Sequence, residues 1–316
     1  MTISRRILGY ALAAGILCGG ASAHNIWAVG PVEQWIAADD DVARNISETG
    51  FFSGIEIADY RFSENGFDWH LIRFTNTAKP YGPLWLVPHD DENAAFDAMI
   101  AALKEHGGVG IAVNSGNGSA RMQSGYGRCG VDVRKKAACD PNRNFDSQSP
   151  AFTSTILDQR PIGQPVIALH TNSPGFAGDG QGGRGDISIV DKIAFRQGEK
   201  RARKGALLAV SPIPLMANYD TLGLVAHARA HGSPSAATKA CGRALSDSGI
   251  HFWHEEVDQS DGSMSNYLAL NEPDIAYFNA ESRADADLAI AASRHLIMVK
   301  TFIDRCSSGN KPTAGP

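Results

Sequence analysis

The segment 84–113 constrains the fold of this chain more than any other stretch. It begins with a short apolar run, continues with apolar residues at helical spacing over 91–106, and ends with a second apolar run at 109–113. Two adjacent glycines, Gly107 and Gly108, stop the helical pattern before the second run. A strand, a helix and a strand in this order predict a β-α-β unit, which makes the two strands parallel through a right-handed crossover.

The same alternation continues along most of the chain. We predict further strands at 66–76, 164–170, 187–195, 206–210, 250–254 and 274–281, and helices at 219–231, 236–246 and 285–304. No repeat period and no Pro/Ser-rich linker interrupts this order. The pattern therefore predicts a single α/β domain over residues 24–316, built on a central mixed, mainly parallel sheet that is flanked by helices.

The first 23 residues have the composition of a secretory signal peptide. Arg5 and Arg6 precede an uncharged apolar segment at 7–20, and small residues follow up to Ala23. Because the apolar segment is too short to span a bilayer, cleavage near Ala23 is favoured over a retained anchor. We therefore expect a periplasmic or secreted protein with no transmembrane anchor in the mature chain.

Four cysteines follow the expected cleavage site. An even number in an exported chain predicts two disulfides. A bond between Cys129 and Cys139 would close a short loop, and a bond between Cys241 and Cys306 would join two C-terminal segments. The other two pairings remain open from the sequence.

Three predicted strands end in polar groups that can do chemistry. His89 and Glu92 follow the run 84–87, His170 ends a second strand, and Glu281 ends a third. Ligands of open α/β sheets bind beyond the carboxyl ends of the strands, so these side chains can meet in one crevice. Two histidines and one carboxylate, with a fourth position open for water, are typical of a catalytic zinc site.

Each of these residues also has an ordinary structural interpretation. His89 and Glu92 suit a solvated turn at the start of a helix, and His170 suits a histidine of the core. Glu281 suits the first turn of the C-terminal helix. A second metal site is conceivable from the residue types at two places: His227 with His231, and the group His251, His254, Glu255 and Glu256. We interpret these groups as surface residues and as a half-buried strand with a polar end.

The order of the motifs resembles that of the zinc carboxypeptidases. That family has His-x-x-Glu after a strand, then a motif like Gly-Val-Asp-x-Asn-Arg-Asn-Phe, then a histidine at a strand end and a late glutamate. Here the second element reads Asp-Pro-Asn-Arg-Asn-Phe at 140–145, and Asp-Gly-Ser at 261–263 precedes the last glutamate. The resemblance covers roughly residues 60–305, and four motifs in the same order are specific where each alone is weak.

The resemblance implies a role for each of these residues. His89, Glu92 and His170 would hold Zn²⁺, and Glu281 would be the general base that takes a proton from the attacking water and later delivers it to the leaving amine. Asn142 and Arg143 would grip a substrate carboxylate. A further arginine normally stabilises the oxyanion; the first choice is Arg128, followed by Arg134 and Arg121.

Two departures from the family pattern concern the substrate. The family usually has a tyrosine six residues before the serine of its Gly-Gly-Ser segment, and Val257 occupies that position here. Met264 falls where the family often places a side chain of the specificity pocket. The sequence offers no clear anionic counter-charge there for a lysine or arginine side chain.

Together these features predict an exported zinc metallopeptidase that hydrolyses an amide bond near a free carboxylate, with cell-wall (murein) peptides as the preferred substrate. The alternatives are a deacylase of small N-acyl amino acids, of the desuccinylase or aspartoacylase type, and a peptide-binding module without turnover. The formal net charge of −5 is mild and gives no case for a nucleic-acid partner. The oligomeric state is left open.

Overall fold

The computed structural model describes residues 27–36, 38–114, 128–130, 139–172, 207–209, 221–228, 230 and 236–306. Several predictions lie outside these residues: the signal peptide, the strand at 187–195, and the positions Arg121, Arg134 and His231. In the part of the chain that is described, no helix is long and apolar enough to cross a membrane.

Ten strands and six helices alternate along the described residues. The strands are β1 (Ala28–Gly30), β2 (Ile55–Glu64), β3 (Phe67–Asn76), β4 (Leu84–Val87), β5 (Val109–Asn114), β6 (Val166–Asn172), β7 (Leu207–Ala209), β8 (Thr221–Ala228), β9 (His251–Val257) and β10 (Tyr277–Arg283). The helices are α1 (Asp40–Asn45), α2 (Asn93–His106), α3 (Pro150–Leu157), α4 (Ala236–Asp247), α5 (Met264–Asn271) and α6 (Leu288–Arg305).

All ten strands form one mixed sheet in the order β1-β2-β3-β5-β4-β6-β10-β8-β9-β7. The central ladders β5-β4, β4-β6 and β6-β10 are parallel, and so is β8-β9. The strands β1, β2 and β3 extend the sheet in antiparallel fashion, and β8 runs antiparallel to β10. The predicted α/β class and mixed sheet are confirmed, and so is the β-α-β unit of β4, α2 and β5.

The two faces of the sheet carry separate apolar cores. On one face, buried residues of α2, α4 and α6 pack against alternate strand residues such as Ile72, Ile167 and Phe278. On the other face, α3 and α5 cover residues such as Val166 and Leu222. This alternation follows from the two-residue period of strand side chains. It assigns every strand residue near the site to one face or the other.

The predicted helix at 219–231 is wrong, because residues 221–228 form the strand β8 between β10 and β9. Five consecutive residues from Thr221 are buried, since the sheet is covered on both faces there. Such a run shows no two-residue alternation, and its periodicity does not distinguish a strand from a buried helix. Glycine is needed at position 223 because a Cβ there would lie only 2.8 Å from the ring of Phe278, too close for a normal contact.

The expected disulfides are confirmed. Cys129 is bonded to Cys139, and Cys241 is bonded to Cys306. The first bond closes a ten-residue separation directly before Asp140. The second joins α4 to the residue that follows α6, so it ties together two helices on the same face of the sheet.

The parallel ladders bring the candidate residues to one edge of the sheet. Because β4, β6 and β10 run in the same direction, their carboxyl ends lie side by side. His89 follows β4 by two residues, His170 lies in β6, and Glu281 lies in β10. In the β6-β10 ladder, Glu281 is the direct register partner of His170.

Candidate metal centre

His89, Glu92 and His170 converge at the carboxyl edge of the sheet. Pro88 and His89 directly follow β4, and Glu92 is the residue directly before α2. Both imidazoles are buried, with 5% and 4% of their residue surface exposed. Each residue offers one ligand atom, and these three atoms lie within 4.8 Å of one another.

The distances show which atoms face one another. His89 Nδ1 lies 2.8 Å from Glu92 Oε1 and 3.2 Å from His170 Nδ1. His170 Nδ1 lies 3.4 Å from Glu92 Oε2. The same ring nitrogen of each histidine therefore points at the carboxylate, with the two rings inclined by 60°.

Asp140 holds the first of these histidines in place. His89 Nε2 lies 2.8 Å from Asp140 Oδ1, which also accepts a hydrogen bond from the backbone N–H of Asn142. A proton on Nε2 that is donated to this carboxylate leaves Nδ1 as the basic nitrogen that faces the cluster. Carboxylates behind metal-binding histidines fix ring orientation and tautomer in this way.

The ionisable groups of the cluster are buried, so each one changes the pKa of its neighbours. Burial raises the pKa of Glu92, but the charges of His89 and His170 outweigh it and lower that pKa to about 2. Burial likewise raises the pKa of Asp140, and the charges of His89 and Arg143 lower it to about 2. Both carboxylates are therefore ionised at neutral pH, as a cation site requires.

The residues fit a zinc ion. Glu92 Oε2 is buried and, among the described residues, has no hydrogen-bond partner. Zinc bonds histidine nitrogen at about 2.0–2.1 Å in tetrahedral geometry, which places two such nitrogens about 3.3 Å apart. The observed separation of the two Nδ1 atoms is 3.2 Å. A cation between these atoms would satisfy the free oxygen and separate two ring nitrogens that otherwise face each other.

A second group of acidic residues, Asp39, Asp40 and Asp41, also lies close enough to hold a metal. Asp39 caps α1 by accepting from the N–H of Val42, and Asp41 forms an ion pair with Arg44. These contacts explain the group as a helix start.

Glu281 lies next to the three candidate ligands. It is buried, with 7% of its surface exposed, and Asn279 Nδ2 donates a hydrogen bond of 2.9 Å to its Oε1. As register partners on neighbouring strands, Glu281 and His170 point to the same face of the sheet at the interstrand spacing of about 4.8 Å. The carboxylate is therefore held on a rigid strand beside the cluster.

Asn142 and Arg143 lie in a 3-10 turn, Pro141–Arg143, that Asp140 caps. Arg143 is buried between two carboxylates: its Nε lies 3.7 Å from Asp140 Oδ2, and its Nη1 lies 3.4 Å from Asp261 Oδ2. Asn142 Oδ1 accepts from the N–H of Met264 at 3.2 Å. Since Asp140 contacts both His89 and Arg143, the candidate carboxylate-binding pair adjoins the candidate metal ligands.

Arg128 contacts residues other than the candidate metal ligands. Its guanidinium forms a bidentate ion pair with Asp146 and donates to Ser149 Oγ at 3.0 Å. These partners belong to the loop before α3. The oxyanion role of Arg128 stays a prediction, and it would require this ion pair to open.

The position of Asp140 leads to a first prediction. Asp140→Asn should weaken zinc affinity by about 10–100-fold, because an amide no longer stabilises the tautomer in which His89 Nδ1 is basic. Competition titration with a chelating dye measures this change. Asp158→Asn, at an exposed position after α3, is the matched control and should leave the affinity unchanged. Equal affinities of the two variants would contradict the role of Asp140.

No protein-family model and no curated protein matches the chain. Among solved structures, a candidate carboxypeptidase A from Shewanella denitrificans OS-217 matches with a TM-score of 0.44 and 12% identity, over 83% of this chain and 68% of that one. Thrombin-activatable fibrinolysis inhibitor matches with a TM-score of 0.43 and 11% identity, over 89% and 78%. An aspartoacylase family protein from Mesorhizobium loti matches with a TM-score of 0.37 and 10% identity, over 80% and 67%.

Proposed function

We propose that this chain is an exported, zinc-dependent peptidase of the carboxypeptidase type, which hydrolyses an amide bond next to a free carboxylate. The observation that carries the proposal is the convergence of His89 Nδ1, His170 Nδ1 and the Glu92 carboxylate at distances of 2.8 to 3.4 Å. His89 and His170 are 81 positions apart along the chain, and both lie at the sheet edge where ligands of α/β proteins bind.

When bound, zinc would polarise the scissile carbonyl and bring the pKa of a water molecule to about 7. The proton of that water would pass to Glu281, whose carboxylate lies on the strand next to His170. Asn279 donates a hydrogen bond to one oxygen of this carboxylate, and the carboxylate would accept the proton and deliver it to the leaving amine. Glu281 would therefore act as both base and acid.

Arg143 and Asn142 would hold the terminal carboxylate of the substrate. The planar guanidinium can make two parallel hydrogen bonds to a carboxylate, which fixes the peptide in one orientation. In this structure Arg143 is separated from Asp261 by 3.4 Å and from Asp140 by 3.7 Å. A substrate carboxylate would form charge-assisted hydrogen bonds of about 2.7–2.9 Å to this guanidinium.

Export and a cell-wall substrate are parts of the same proposal. The signal-like composition of residues 1–23 supports export, and so do the two disulfides, which persist in oxidising compartments. Murein peptides are abundant outside the cytoplasmic membrane and carry the free carboxylates that Arg143 would bind. They are therefore the first substrates to test.

The test combines metal analysis with amide hydrolysis. We expect one zinc ion per purified chain, loss of hydrolysis of N-acyl dipeptides and muropeptides after treatment with phenanthroline, and recovery on addition of zinc. N-acyl amino acids, assayed in parallel, separate peptidase from deacylase activity. A metal-free protein that retains full activity would overturn the proposal.

A further inference from the structure

The segment before β2 makes polar contacts with the start of α2, the helix that Glu92 directly precedes. Arg44, in the last turn of α1, forms a bidentate ion pair with Asp97: its Nη1 donates to Oδ2 at 2.9 Å and its Nη2 donates to Oδ1 at 2.8 Å. Asn45 Nδ2 donates to the same Oδ1 at 2.9 Å. Arg44 Nη2 also lies 3.4 Å from the backbone oxygen of Asn93, the first residue of α2. We call the group Arg44, Asn45, Asn93 and Asp97 the helix clamp.

The α1 side of the helix clamp is anchored in the rest of the fold. Val42 is fully buried in the core that α2 also covers. Asp39, which caps α1, accepts a hydrogen bond of 3.1 Å from the side chain of Asn114, the last residue of β5. Strand β5 pairs with β4, so α1 is attached to the sheet beside the strand that leads to His89. The clamp therefore connects α2 to a support that is fixed both in the core and on the sheet.

The start of α2 needs support from outside the helix. Helices commonly begin with a side chain that accepts from the first backbone N–H groups, which otherwise lack a helical partner. Glu92 occupies this position in α2, but its side chain makes no capping hydrogen bond within the described part of the chain. Its carboxylate lies instead 2.8 Å from His89 Nδ1 and 3.4 Å from His170 Nδ1. A helix end without a capping side chain frays more readily, and fraying here would carry Glu92 away from both histidines.

We propose that Arg44 is a positioning residue for the candidate metal centre. Through the helix clamp it holds the first turn of α2, and with it the Glu92 carboxylate, at the separation from the two histidines that a shared metal ion requires. The connection is short, because Phe96, whose N–H donates to the backbone oxygen of Glu92 at 3.1 Å, directly precedes Asp97. This inference rests on the proposed function, since it concerns the metal centre of the same site.

The charge of Arg44 and its positioning role have opposite effects on metal binding. A positive charge near the site repels a cation, so its removal alone would raise the affinity for zinc. Loss of the helix clamp would instead lower this affinity, because Glu92 would be held less accurately. A role limited to stability would lower the melting temperature and leave the affinity of the folded protein unchanged. The direction of the change in zinc affinity therefore distinguishes the three roles.

The test measures zinc affinity by competition with a chelating dye, at a temperature where every variant is folded. Arg44→Gln and Asp97→Asn should each weaken zinc binding by about tenfold, the lower end of the range for residues behind metal ligands. The double variant should lose little more than either single one, because both changes break the same contact. Arg73→Gln is the matched control. Arg73 is also partly buried, and its 3.0 Å hydrogen bond to Gln159 does not involve α2, so zinc affinity should stay at the wild-type value.

The possible results separate this inference from the proposed function. An affinity of Arg44→Gln equal to or higher than that of the wild type would overturn the inference and leave the proposed function in place. An equal loss in Arg73→Gln, or fully additive losses in the double variant, would overturn it as well. A wild-type protein that binds no zinc would remove the proposed function and the inference together. Thermal melting of the metal-free proteins establishes that each variant is folded before titration.

Discussion

Glu281→Gln should lower kcat for amide hydrolysis by about 10²–10⁴-fold, the contribution that a positioned general acid-base residue makes. Glutamine has nearly the same shape and can keep the hydrogen bond from Asn279, but it cannot accept a proton from the attacking water. KM and zinc content should stay near their wild-type values, since Glu281 is not one of the three proposed ligands. Steady-state kinetics with zinc analysis on the same sample measures all three quantities.

The control for this variant is Glu105→Gln, which removes the same charge at the end of α2, where the side chain is 58% exposed. Its kinetics should match the wild type. If Glu281→Gln retained wild-type kcat, another group would have to handle the proton. If it lost its zinc, Glu281 would belong among the ligands.

The second large effect is expected at His170. His170→Gln should weaken zinc affinity by more than about 100-fold, beyond the range expected for a residue behind a ligand, and should abolish hydrolysis at micromolar zinc. The reason is that His170 contributes one of the two Nδ1 atoms that face the Glu92 carboxylate. Plasma mass spectrometry after dialysis against a competing chelator measures the retained zinc.

His106→Gln is the matched control for His170→Gln. His106 ends α2, about 20 Å along the helix axis from Glu92 at its start, so its replacement should not affect zinc. One full equivalent of zinc in the His170 variant would show that the cation lies elsewhere. Together with Asp140→Asn, these variants should give a graded series, with the ligand more sensitive than the residue behind it.

Local patterns in the sequence predicted much of the fold. The apolar run 84–87, the helical spacing before Gly107 and the apolar run after it correspond to β4, α2 and β5 within two residues. The long apolar stripe of the last helix likewise appears as α6. These elements could be predicted because their length and periodicity agree with their environment.

Other elements depend on tertiary context. The strand β8 was mistaken for a helix because it is buried on both faces of the sheet. The helices α3 and α5 have eight residues each, too few for a clear period, although Pro150 and the capping Ser263 mark where they begin. Short elements of this kind are fixed by packing more than by their own composition.

The candidate site shows the same division. The order of motifs pointed to His89, Glu92, His170 and Glu281, and the structure brings these residues to one edge of the sheet. The order of motifs did not reveal that Asp140 contacts His89, which lies 51 positions earlier in the chain. Nor did the order of motifs reveal that Glu255, predicted to lie at the polar end of a strand, is fully buried. Such contacts between distant segments follow from sheet order, which one sequence does not specify.

The pairing of Glu281 with His170 across neighbouring strands has a consequence for how such a protein can diverge. The separation of these two residues is set by the backbone ladder, so insertions in the surface loops can reshape substrate recognition without changing it. A slip of one residue in β10 would instead turn the glutamate to the opposite face of the sheet, away from His170. The sheet therefore fixes the relative position of the two proposed site residues, while the loops around them can change.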